Sequence, residues 1–436
     1  MKPYMMSLTE ASNKIKSGEI SPIELTESLL DRINETEPLI HAWVTIDQEK
    51  VRQDAINTTT ADTKNKLQGI PIGVKDIYYT AGMRTTMGSP IYHDFTPDYD
   101  ADMVKQIKAQ GAIILGKTET TEFALHDPTP TRNPWNTNHT PGGSSSGSAA
   151  AVAIGMCPVA FGSQTGGSVI RPASYCGVVG VKPTYDLLSR AGVFPLSWSL
   201  DHIGYMTRTV EDAHHMLCAL TDTEKEWKKQ ETPPKIGVLR GYFKENAEPE
   251  VWEGYENTIT RLWGEGAEMI DTTLPPSFKH VPDVHRVIMA AETAAAHEEV
   301  FRKKKPEYGE YIQGYISSGL LIPATIYLRA QRQRAKIIED MINLINEYDC
   351  VVCPSSVDTA PEGLEWTGSP AFNAPWSLTG LPSVTVPMGL ASNKLPLGLQ
   401  LVGAPYNEWS LLMVAGWCEE KIGFDTRPRN PYIPTD

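Results

Sequence analysis

The chain has 436 residues, 41% of them apolar, and a net charge of −14. This is more than a minimal domain needs and enough to bury a sizeable core. The acidic balance argues against a nucleic-acid partner, no apolar run is long enough to cross a bilayer, and a soluble, cytoplasmic protein is expected.

The first residues lack a secretory apolar stretch, and six cysteines in this length do not make a disulfide framework. Ser7-Leu-Thr-Glu10 and Ser21-Pro-Ile-Glu24 are capping boxes, each predicting a helix; Leu25, Leu29 and Ile33 continue the second at helical spacing. Residues 70–74 read as a short apolar strand that delivers Lys75 and Asp76 at its end. Lysine is a surface residue by default. Its position after a strand carrying glycine and proline makes Lys75 a candidate base.

A helix is predicted over 100–110. Residues 111–118, Gly-Ala-Ile-Ile-Leu-Gly-Lys-Thr, match the phosphate-loop pattern in full. A phosphate loop has a strand before its first glycine and a loop between the glycines. Here a helix precedes Gly111, and Ala-Ile-Ile-Leu is itself strand-like, so nucleotide binding is the poorest of the functional readings. Gly143-Ser-Ser145-Ser-Gly147 matches a nucleophile elbow centred on Ser145. That elbow needs a strand running into it, and residues 136–142 read as a loop; Asp201 and His202 are adjacent and make no evident relay.

Two Gly/Ser clusters remain, at 141–148 and 165–168. The small apolar stretch 149–162 between them predicts a helix over 148–153 and a strand over 158–161. Further strands are predicted over 177–182, 236–239, 267–270, 384–386 and 397–401, the last two as a hairpin. Further helices are predicted over 209–220, 249–263, 283–304, 324–347 and 408–422, with a loop or linker over 221–234. Cys350 and Cys353 fall in a buried strand ending at Pro354 and read as core cysteines, not a metal or redox pair. Arg329, Arg332, Arg334 and Lys336 read as a solvated helix face. Alternating strands and helices with a late hairpin imply a mixed sheet covered by helices, in one domain spanning 1–436.

Serine needs a base before it attacks. The histidines nearest the Gly/Ser clusters in sequence, His126, His139 and His202, read as polar loop residues. A neutral lysine can serve instead if the site depresses its pKa, and a second serine can relay the proton.

The segments Gly-Ile-Pro-Ile-Gly-Val-Lys75-Asp76, Pro141-Gly-Gly-Ser144-Ser-Ser-Gly-Ser-Ala, Thr165-Gly-Gly-Ser168-Val-Ile-Arg171-Pro and Gly177-Val-Val-Gly-Val-Lys-Pro-Thr184 resemble the amidase signature family. Looser matches continue through Ser199–Gly204, Thr207–Asp212 and Asn373–Pro382. Within the family the motifs are most similar to malonamidase. The resemblance implies an α/β/α amidase signature fold with its core over about 68–184. It implies Ser168 as nucleophile, Ser144 as bridging serine after a cis peptide bond from Gly143, and Lys75 as base. It also implies an oxyanion hole from the backbone N–H groups of Thr165, Gly166, Gly167 and Ser168. Ser145 joins the candidate substrate-binding residues, and Arg171 either grips a substrate carboxylate or ties the loop to a neighbour. Gln164 stands where many members carry an acid, and Tyr205 where a proline is usual.

The reaction so implied is hydrolysis of a small amide (malonamate-like, or a related carbamate or anilide) through a serine acyl-enzyme. No cofactor and no metal are expected. The expected partner is the small-molecule amide, with a homodimer left open and neither nucleic acid nor membrane. The alternative is the amidase subunit of a glutamine-dependent tRNA amidotransferase, with helix 324–347 as an interface. No evident long C-terminal extension supports that alternative.

Overall fold

The computed structural model describes residues 2–58 and 65–428. Eleven strands form one sheet: β1 (Trp43–Thr45), β2 (Pro71–Lys75), β3 (Ile113–Thr118), β4 (Val159–Gln164), β5 (Val179–Lys182), β6 (His202–Thr207), β7 (Lys235–Leu239), β8 (Glu268–Thr272), β9 (Cys350–Pro354), β10 (Ser383–Leu390) and β11 (Pro396–Val402). Their order is β1-β3-β2-β4-β6-β5-β10-β11-β9-β7-β8. The sheet is mixed: β2 runs parallel to β3 and β4, while β4 pairs antiparallel with β6. One sheet carries the whole chain as a single α/β domain, and its central strands are buried on both faces.

The N-terminal caps are as expected. Ser7 accepts the Glu10 N–H, and Ser21 and Glu24 close a full capping box. The predicted hairpin is β10–β11, in antiparallel register with one shift between Pro387 and Gly389. Residues 221–234 hold no helix or strand. Residues 113–118 form β3, so the phosphate-loop reading is corrected: the intervening residues are a buried strand and cannot wrap an anion. Helix Ala324–Ile345 turns Arg329, Arg332 and Lys336 outward. Arg334 departs from the solvated face, because it shares the inward stripe of Ala330 and Ile337 and donates to the Leu378 carbonyl at 2.7 Å.

Two features of the fold position the site. Helix Ser146–Ile154 is buried along its whole length, which its alanines and glycine permit. A Cβ on Gly147 would lie 2.2 Å from the Ala42 carbonyl oxygen, so only glycine lets this helix approach so closely. The register Gly73↔Ala160 brings the C-terminal end of β2 level with the last residues of β4, which ends at Gln164. Lys75 therefore emerges beside Ser163.

No helix among the described residues is long and apolar enough to cross a membrane. All six cysteines are buried and unpaired.

Candidate active site

Lys75 is 0% exposed. Its Nζ donates to Ser144 Oγ at 2.7 Å and to Ser163 Oγ at 2.8 Å. Among the described residues no carboxylate lies within ion-pair distance of it. Burial pushes its pKa well below the ordinary lysine value, and the more distant Asp201 opposes this only in part. A desolvated amine held by hydroxyls alone is favoured in its neutral form.

Ser144 follows a cis peptide bond from Gly143, as the resemblance implied. Its loop is joined to the second Gly/Ser cluster by the Ser145 N–H, which donates to the Ser168 carbonyl at 3.3 Å. Ser168 sits between β4 and helix Ile170–Cys176 and is 8% exposed, and its hydroxyl makes no hydrogen bond among the described residues.

The loop Thr165–Ser168 is fixed through its carbonyls. His285 donates to Thr165 O at 3.0 Å and Ser377 to Gly166 O at 2.8 Å. The N–H groups of Arg171 and Ser145 take the carbonyls of Gly167 and Ser168. With every carbonyl engaged, the four N–H groups of 165–168 have no acceptor among the described residues. Unpaired backbone donors in a rigid loop are what a developing oxyanion requires. A Cβ on Gly167 would lie 2.5 Å from Asn373 Oδ1, so glycine is needed for this packing.

Gln164 takes over loop support without a charge. Its Oε1 accepts the N–H groups of Val169 and Ile170 at 2.9 and 3.0 Å, and its Nε2 donates to Ser377 at 3.2 Å. Tyr205 is buried in β6, where its hydroxyl donates to the Ala213 carbonyl.

A cavity of about 210 Å³ opens over Thr165, Gly166, Gly167, Ser168 and Arg171. Lys75 and Ser144 lie behind this wall. Ser145 is not on the cavity: it is buried, and its hydroxyl accepts the Ser163 N–H at 3.2 Å. Its candidate role in substrate binding is corrected to scaffold, because the hydroxyl is engaged between the helix start and β4. Arg171 is in the wall but only 1% exposed, with Nη2 donating to the Gly143 carbonyl at 2.7 Å. Its Nε and Nη1 have no acceptor among the described residues.

Sequence reasoning missed Ser163 and weighed Asp201 only as a relay partner beside His202. Ser163 gives no signal, being a small residue inside a buried strand. Asp201 accepts from Thr165 Oγ1 at 2.6 Å and from the N–H groups of Leu196 and Ser197. Burial raises its pKa to about 6, against these hydrogen bonds. No group of metal-ligating side chains occurs among the described residues.

The family model described as Amidase matches residues 24–412. The chain belongs to the amidase family. It is an amide hydrolase of the amidase signature type. A glutamyl-tRNA(Gln) amidotransferase subunit of Halothermothrix orenii is 33% identical over 98% of this chain and 99% of its own. A crystal structure of an amidase superposes with a TM-score of 0.88 at 28% identity, covering 95% of this chain and all of that one. The glutamyl-tRNA(Gln) amidotransferase subunit of Thermotoga maritima superposes with a TM-score of 0.78 at 30% identity, covering 96% of this chain and 95% of that one.

Proposed function

We propose that this amidase cleaves a carboxamide to acid and ammonia through an acyl-enzyme on Ser168. The reading is carried by the fully buried Lys75, whose Nζ is held by serine hydroxyls alone. Such a lysine, its charged form disfavoured by burial, can serve as the base without help from histidine. Ser168 Oγ attacks the amide carbon, and its proton passes through Ser144 Oγ to Lys75 Nζ. The oxyanion takes N–H groups from the 165–168 loop. The C–N bond breaks as the same proton returns through Ser144 to the leaving nitrogen, and water then cleaves the ester by the reverse relay. Arg171 supports the site as a tie on the Gly143 carbonyl, which leads into the bridging serine.

A second reading concerns the fate of the ammonia. The curated relatives favour a tRNA-dependent amidotransferase component over free hydrolysis of a small amide, since identity of 33% extends over nearly both whole chains. Two observations pull the other way: the better superposition on a structure described as an amidase, and an alignment of 478 positions against 436 residues here, so that the relative carries segments this chain lacks. Purification from the native cell separates the two, as a single component or with further proteins bound.

The acyl-enzyme itself is tested with a fluorophosphonate followed by peptide mass mapping. The adduct is expected on Ser168. An adduct on Ser145 would overturn the assignment.

A further inference from the structure

The cavity over Ser168 has a defined charge. It is lined by the rings of Tyr242, Phe278 and Tyr315 and by Val281 and Met289. Arg171, three residues after Ser168, and Arg286, whose side chain is exposed, also line it. His126 also lines the cavity, but burial and the neighbouring Arg171 push its pKa down to about 3, so it is neutral. His285 is likewise held low by burial and bonds Thr165.

No carboxylate lines this space among the described residues. Those nearby are engaged elsewhere. Asp283 pairs with Arg286 at 2.7 Å in the exposed rim. Asp127 accepts the N–H groups of Tyr311 and Ile312, and Asp358 takes the Tyr175 hydroxyl. Arg171 is in ion-pair contact with none of them, and two of its nitrogens lack an acceptor.

We infer that this cavity takes amides whose acyl arm is not cationic, and that it rejects an arm bearing an ammonium group, glutamine included. An ammonium entering it would lose water against Val281 and Met289 and face the Arg171 guanidinium, whose charge the Asp358 carboxylate offsets only from beyond ion-pair distance. A cavity of about 210 Å³ is below the usual range for drug-sized ligands, so a short arm is favoured. The inference rests on the acyl-enzyme reading above, and it bears on the source of the ammonia, because glutamine carries an α-ammonium.

The test compares two fluorophosphonates matched in size, one with a butyl arm and one with a 3-ammoniopropyl arm. With each, the Ser168 Oγ–P bond forms, the P–F bond breaks and fluoride leaves, with the proton passing to the lysine relay. Adduct growth is followed by intact mass. The butyl reagent is expected to label Ser168 at least about 100-fold faster, the penalty for an uncompensated like charge. Arg286→Glu, which reverses the charge at an exposed lining residue, should raise the ammonium reagent's rate about tenfold relative to the butyl rate. Ammonia release by the unaltered enzyme should favour pentanamide over 4-aminobutanamide and L-glutamine in the same sense. Equal labelling rates, an unmoved rate ratio in Arg286→Glu, or glutamine turned over as well as pentanamide would each overturn the inference. Absence of any adduct on Ser168 with both reagents is a different failure, that of the acyl-enzyme reading, and the inference falls with it.

Discussion

The ends of β2 and β3 each bury a lysine, and the two differ in what surrounds the charge. Lys117 is 3.8 Å from Asp76 and donates to the Tyr78 carbonyl and, at 2.9 Å, to Thr85 Oγ1. Burial lowers its pKa only to about 8, because the Asp76 carboxylate holds the proton. Lys75 sits one register step away, beside Thr118, and has hydroxyl partners and no adjacent carboxylate. Its pKa is lowered well below the ordinary lysine value, chiefly through desolvation. The same residue type at the same depth therefore has its charge held by a carboxylate on one strand and disfavoured by its surroundings on the next. What decides is the neighbouring carboxylate rather than the burial.

Exchanging each lysine for methionine is the sharpest way to break this comparison. Lys75→Met is expected to lose amide turnover by about 10⁴-fold or more, since a relay without its base retains only binding and the oxyanion loop. Lys117→Met should keep turnover within about tenfold of wild type. It should instead lose about 3 kcal/mol of stability, because Asp76 is left buried and unpaired. Steady-state ammonia release and urea unfolding read the two effects. Comparable loss of turnover in both variants would erase the distinction.

Ser144→Ala comes next, with a loss of about 10³-fold. It should be no greater than that of Ser168→Ala, and the double variant should be little worse than either single one. Arg171→Leu should cost about tenfold, equally on malonamate and on a neutral amide of similar size, as a tie on the Gly143 carbonyl would. A loss confined to malonamate would make Arg171 a carboxylate grip instead.

The smallest effect is on the pH dependence of stability. Burial lowers the pKa of Lys75 in the folded state, so between the folded and unfolded values the unfolded state binds more protons. The wild type must therefore gain stability as pH rises between the folded value and the unfolded value near 10.5. Lys75→Met should lose that part of the slope. Activity in the wild type should rise with pH over the deprotonation of the same group, with a midpoint well below 10.5. A midpoint at the ordinary lysine value would show that the site does not depress it.

Much of this is readable residue by residue. The capping boxes at Ser7 and Ser21 are local patterns, and the structure holds the corresponding hydrogen bonds. The strand before Lys75 is legible from its apolar run. Other elements are not. β6 contains Gly204 and Thr207 and is buried on both faces, so it shows no alternation. Helix Ile170–Cys176 holds Pro172 and reads as a turn or a short helical start. β4 runs on to Gln164 beyond the expected end, because pairing with β6 carries Gly162 and Ser163 despite their weak strand preference.

Sequence by itself determined the family motifs, the mixed α/β class and the identity of the serine and lysine candidates, because these depend on residue type and short-range spacing. Tertiary structure alone decided which lysine has a carboxylate partner and which has hydroxyls only. Lys75 and Lys117 both end or nearly end a short apolar strand, and the phosphate-loop pattern around Lys117 matches its template in full. The difference comes from Ser144 and Ser163 on one side and Asp76 on the other. Asp76 follows Lys75 in the chain, yet it lies within ion-pair distance of Lys117 on the next strand. Electrostatic environment is set by which groups the sheet register brings within a few ångströms, and chain adjacency does not report that.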